Sequence, residues 1–419
     1  MSRSSRSRLF SFLLAGLCAA QEAPPPASPA QPRSAAAEAR MADRPLPDAT
    51  SHLLDLAFGA ASALPLDPHI KTRSLAQESV VSACLTLDQP ERAGRLAKSI
   101  ANWRRAACVA DLASYLAHHG AGAMARERLR EAANLADGTA AVSTNAQEWR
   151  RDRVRVKIAG AYLALGDSEQ AAKFMDAAVP VEAGKVEATK ARLIEADDYA
   201  AQVEALDAMV ASGDFDQVQN ALAACAELYA RFYGDEERRG AMRQRVLEAY
   251  PKLPLTVRIA VVSKLARTSV EHDGAQAALA LVEDVYGLIG KGRWRPEDQV
   301  RLSASAAELR YLAGDHERAR KDIAAALAMY GEERRGIESF ERAGVLRPVA
   351  EALQTAGDKA GALAAYRRAL DDGAENPNAR PRATDLTATC VSMAVRGVEP
   401  DEATFARIRE ILEGLRDPW

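Results

Sequence analysis

The residue types able to do chemistry are few, and their spacing serves it poorly. His118 and His119 are adjacent, so on a helix their imidazoles point about a hundred degrees apart and cannot hold one metal together. Asp214 and Asp216 form an Asp-X-Asp pair after Gly213, where a carboxylate at a turn more commonly caps a helix. Residues 287–292, GLIGKG, carry the glycines and lysine of a phosphate loop without its spacing, and they follow a helical stretch. No HExxH, no GxSxG and no GxxxxGK followed by Ser or Thr occurs, so neither zinc hydrolysis, nucleophile-elbow chemistry nor phosphate cradling is indicated. The expectation is a chain without a catalytic centre, resident metal or cofactor.

Two basic clusters remain. In EWRRDRVRVK, Arg150, Arg153 and Lys157 share one helical face and Arg151 with Arg155 another, leaving Val154, Ile158 and Leu165 for a core. In KGRWRP, Lys291, Arg293 and Arg295 bracket Trp294 between two helices. That segment is either a plain connection or a clamp for an acidic segment through charge and cation–π contact. Of the five cysteines, Cys18 is N-terminal, while Cys84, Cys108, Cys225 and Cys390 follow no paired spacing and no CxxC occurs. They read as buried small residues rather than a disulfide framework.

The elements that must position these residues are helices. In residues 349–370, Ala350 lies seven before Gly357, and Ala362, Tyr366 and Ala369 lie five, nine and twelve after it, so two small-residue stripes meet across a tight turn. Gly357 stops the first helix, Asp358 caps the second, and Ala374, just after Gly373, is expected to lie beyond the second. The same frame fits Gly120, Gly166 and Gly314, and more loosely Gly213, which would make residues before it a first helix and those after it, Cys225 included, a second. Degenerate turns fall at Asp88, near His272 to Gly274, and at Gly397. Aromatics at 5% and an alanine-rich apolar fraction suit close helix packing, and no sustained period-two alternation predicts a strand. The fold class expected is all-α, a right-handed superhelical solenoid of about eight helix-turn-helix hairpins, since one hairpin cannot bury its stripe alone.

The residues at Gly357 and Gly166, with Tyr162 and Tyr366 at the aromatic positions, resemble the tetratricopeptide repeat family over residues 76–415. The family's early Trp and closing Pro are missing, and clear turns stand 40 to 47 residues apart rather than the family's roughly 34. The resemblance implies a protein-interaction scaffold that holds a peptide or partner helix on its concave face. First-helix residues thirteen, ten, six and three before the turn would line that face. These include Arg301, Glu308 and Tyr311 for Gly314, and Arg347, Glu351 and Gln354 for Gly357, a set suited to an extended peptide of mixed charge. The alternatives are a helical-shell enzyme acting on a cell-envelope polymer and a passive structural spacer.

Residues 1–20 carry three arginines, no acid, and an apolar run ending in small residues, which reads as a secretory signal. Cys18 offers a lipid anchor instead, and Met41 an internal start. Residues 21–47, rich in Pro and Ala, should form a disordered linker, leaving residues 48–419 for the solenoid. Loss of the signal takes the formal charge from −3 to −6, which disfavours nucleic acid and anionic membrane as partners. No later apolar run is long enough to span a bilayer. The location expected is therefore exported, periplasmic or cell-envelope.

Overall fold

The structure is a computed structural model that describes residues 42–140, 148–249 and 253–419. The expected signal, Cys18, Met41 and residues 21–41 of the expected linker lie outside them. Among the described residues there is no strand, no helix long and apolar enough to cross a membrane, and no group of three or more His, Cys, Asp or Glu able to hold a metal.

The helices are α1 (Asp48–Ala63), α2 (Ile70–Thr86), α3 (Pro90–Ala97), α4 (Arg104–His118), α5 (Gly122–Ala140), α6 (Glu148–Ala164) and α7 (Ser168–Asp176). Then follow α8 (Pro180–Ala183), α9 (Val186–Leu193), α10 (Tyr199–Ala211), α11 (Phe215–Arg231), α12 (Glu236–Ala249), α13 (Leu255–Glu271) and α14 (Ala275–Lys291). The chain ends in α15 (Pro296–Leu312), α16 (His316–Glu333), α17 (Ser339–Thr355), α18 (Lys359–Ala374), α19 (Ala379–Val395) and α20 (Glu402–Glu413).

The turns are where the glycines place them. Gly357 has φ +79° and its Cβ position is open, so the left-handed backbone alone demands glycine there. The amides of Gly357 and Asp358 return to Gln354 O and Leu353 O, while Asp358 Oδ1 accepts from Gly361 N at 2.9 Å. Gly120, Gly166, Gly213, Gly314 and Gly397 are left-handed too, and at the other two degenerate turns Asp88 and Asp273 take the same conformation. α18 reaches Ala374, so Gly373 lies inside it, where a Cβ would crowd Asp385 and Ala343.

Nine helices among the described residues form one row: α2, α4, α6, α9, α11, α13, α15, α17 and α19 each pack on the next. The second helices α3, α5, α12, α14, α16 and α18 pack on their own first helix and on the one that follows. First helices thus touch neighbours of their own kind, which puts their row on the inside of the curve. The protein is an all-α solenoid of helical repeats.

Its row closes, because α19 packs against α2. α1 completes the joint. It lies on α19 as a second helix lies on its first, and on α2 as a second helix lies on the next one. Small residues make this contact close: Ala57, Ala60 and Ala61 are fully buried, and Thr387 Oγ1 lies 3.4 Å from Ala57 O. α20 follows α19 in the chain but lacks the small residues five and twelve after Gly397, where Glu402 and Arg409 stand. It lies instead across α1, α18 and α19, with His52 stacked on Phe405 at 4.9 Å. One apolar cluster runs through the joint, from Leu53 and Leu54 through Val80 and Cys84 to Leu386, Cys390 and Ile408.

Gly213 corrects the expected register. α11, which follows it, packs on α9 and α13 and is a first helix. The reason is burial all round: Leu222, Ala224, Cys225, Ala226 and Leu228 are all inside, whereas α10 buries only Val203 and Leu206. Residues 43–47 of the expected linker lie against the fold, Asp43 Oδ1 accepting from Glu91 N at 2.7 Å and Arg44 N donating to Asp88 O at 2.9 Å.

Candidate functional site on the inner face

The inner stripe of the first helices carries acids and bases that answer one another between neighbouring helices. Arg104 on α4 pairs with Glu78 on α2, and Lys157 Nζ on α6 lies 2.5 Å from Asp111 on α4. Glu227 on α11 takes Arg192 of α9 at 3.0 Å and Lys264 of α13 at 2.6 Å. Glu308 on α15 takes Arg396 at 2.7 Å and Arg267 of α13 at 3.7 Å, and accepts from Thr355 Oγ1 at 2.9 Å. These partners lie 26 to 88 residues apart in the sequence, so only the curved row brings them together.

Of the six residues expected to line the concave face, Glu308, Glu351 and Gln354 converge on Arg396 just past the end of α19. Glu351 takes its guanidinium at 3.1 Å and accepts from Ser392 Oγ at 2.6 Å, while Gln354 donates to Arg396 O at 3.3 Å. Arg301 stands two turns before Glu308 on α15, and Arg347 one turn before Glu351 on α17. Arg301 pairs with Glu341 and Arg347 with Asp385 at 3.3 Å, and Gly344 leaves room for both, since a Cβ there would stand 3.2 and 3.3 Å from their nitrogens. Tyr311 is apart from these five, against His316 at 4.3 Å between ring centres and beneath Arg320 of its own second helix. Arg396, Glu227 and Lys264 were missed; a signal lay in Arg267, Glu308 and Glu351, each six residues before a turn.

The electrostatics follow from burial against pairing. Burial opposes ionisation of Glu227, but Arg192 and Lys264 outweigh it and hold the carboxyl below its ordinary range. Burial also works against Arg396, and Glu308 with Glu351 reverses it. At Asp385 burial wins. Its carboxyl is pushed up to about 6 although Arg347 opposes the shift, and Oδ2 has no hydrogen-bond partner.

The motifs read for chemistry are taken up by structure. His118 Nδ1 and His119 Nδ1 face the carbonyls of Ser114 and Tyr115 at 2.7 and 2.8 Å. Asp214 caps α11 through Gln217 N at 3.0 Å. Trp294 folds over Gly292, where any Cβ would strike the indole at 2.2 Å, and Nε1 donates to Ile289 O. Val154 and Ile158 enter the core, while Arg150 and Arg153 lie over the Trp149 ring. Cys84, Cys108, Cys225 and Cys390 are buried free thiols.

No family profile matches the chain, and no curated protein matches it. Among solved structures it is similar to a "Circular tandem repeat protein with novel repeat topology and enhanced subunit contact surfaces", at 15% identity over 87% of this chain and 94% of that one, with a TM-score of 0.23. A score so low carries no argument, and the closed row rests on the helix contacts described above.

Proposed function

We propose that the protein is an exported, non-catalytic scaffold of tetratricopeptide type that binds an extended peptide or partner helix of mixed charge on its inner face. The observation that supports this most is the alternation of acid and base along that face with part of each pair still open to solvent, as at Lys157 and Asp111, whose side chains are 33% and 29% exposed. A polypeptide with charges of both signs can share such pairs without stranding a buried one. The non-catalytic reading is supported by the engagement of the inner carboxylates: Glu78, Asp111, Glu227, Glu308, Glu351 and Asp385 each face an arginine or lysine.

Truncating Arg301 or Arg347 would unbalance Glu341 and Asp385, so the clean test leaves the ion pairs intact. A photo-crosslinking residue at Gln354 or Ser114 should capture a discrete partner from an envelope extract, and one at exposed Ala364 of α18 should not. Capture from Ala364 alone, or from none of the three, overturns the inner-face reading. Export is tested by the intact mass of the protein from its native cell, expected to begin at Gln21 or at a lipidated Cys18. A cytosolic chain starting at Met1 or Met41 overturns it.

A further inference from the structure

We infer that α1 is a clasp, and that the ring opens at its joint with α19. Every other joint between neighbouring first helices is crossed by the chain itself, through the second helix and the loops on either side of it. The joint between α19 and α2 is bridged by α1, which continues into α2 through residues 64–69 but meets α19 only through non-covalent contacts. Parting α1 from α19 therefore stretches no connection, whereas opening any other joint must also pull out a covalent one. Local openings follow the route that breaks the fewest constraints.

What holds the joint is apolar and compact. Leu53, Leu54, Ala57 and Ala60 are fully buried, Leu412 lies 3.7 Å from the Cβ position of Gly59, and a single long hydrogen bond, Thr387 to Ala57, crosses from α19. No ion pair crosses from α1 to α19 or α20 among the described residues; the one ion pair of α1, Asp55 with Arg92, reaches α3. A closed row admits to its inner face only a chain that threads by an end. Opening at α1 would admit a polypeptide without a free end, a consequence that rests on the scaffold reading.

The native thiols report the opening. Cys390 on α19 lies in the apolar cluster of the joint with Leu53 and Leu54, while Cys225 lies on α11, on the opposite side of the row. Burial pushes both thiols up to about 12, so neither reacts until its surroundings part. Under native conditions N-ethylmaleimide, followed by peptide mass mapping, should label Cys390 at least ~10-fold faster than Cys225, and Leu54→Ala should raise the Cys390 rate by a further ~10-fold or more while leaving Cys225 unchanged. Equal rates at Cys390 and Cys225 in the unaltered chain overturn the clasp, as does a Leu54→Ala effect of the same size at both. The first comparison needs no substitution, so a variant that unfolds cannot leave the matter open. Failure of the crosslinking at Gln354 and Ser114 would remove the scaffold reading and leave the labelling ratio standing.

Discussion

Arg396 Nη1 reaches Glu308 at 2.7 Å across 88 residues of sequence, passing the end of α17 to do so. Glu308 is 5% exposed, and Arg396 also serves Glu351. Removing one partner of such a pair leaves a buried charge short of its counterion, which costs more than the pair contributes when intact. Arg396→Ala should therefore destabilise the protein by about 2 kcal/mol, with Arg267 retaining part of the Glu308 charge. Urea unfolding of Arg396→Ala, Glu308→Gln and the double variant gives the coupling. A coupling below ~0.3 kcal/mol would mean that the contact contributes nothing beyond geometry.

Asp385 makes stability depend on pH in the direction opposite to most carboxylates. Its folded value, about 6, lies above the roughly 3.9 of an unfolded Asp. Burial is the cause, with Glu341 adding to it and Arg347 and Arg301 opposing. A raised carboxyl favours folding fully below its unfolded value and loses that favour as pH climbs through the folded one. Relative to Asp385→Asn, the unaltered chain should lose on the order of 2 kcal/mol between pH ~4 and pH ~6. Parallel stability curves for the two chains over that range would show Asp385 ionised in the fold.

Ala362 is fully buried on α18 where it meets α17, and Ala364 on the same helix faces solvent. Ala362→Leu should overpack that contact and cost ~1–3 kcal/mol, while Ala364→Leu should stay within ~0.5 kcal/mol. Melting temperatures compare the two directly. Equal values would place the hairpin contact elsewhere on α18.

Gly357 and Asp273 test the turn backbone with opposite signs. Both are left-handed, at φ +79° and +56°, and nothing stands within 4 Å of a Cβ on Gly357. Gly357→Ala should cost ~1–2 kcal/mol through backbone strain alone. Asp273→Gly relieves the same strain and should be neutral to stabilising, by up to ~1 kcal/mol. Chemical denaturation of both variants checks the pair, and a stabilised Gly357→Ala would contradict the conformation.

What the sequence by itself determined is local. A glycine that must turn left, an aspartate that caps three residues on, and alanines five and twelve after the turn are all decided within one hairpin, so Gly120, Gly166, Gly314 and Gly357 were legible with their helices. Gly213 was misread in register because a turn glycine looks the same between either pair of helices. Only the burial around α11 says which row it joins. The inner stripe was legible as positions, at Glu308 and Glu351, but not as pairs. Whether Glu308 meets Arg396, or Glu227 meets Lys264, depends on how far each hairpin rotates against the next, a sum of side-chain packing angles over the whole row. Closure is the extreme case. Ala57, Ala60 and Ala61 mark a helix that needs a close partner, yet nothing near them in the chain names α19, more than three hundred residues away. That partner exists only because the accumulated curvature brings the last first helix back beside the first.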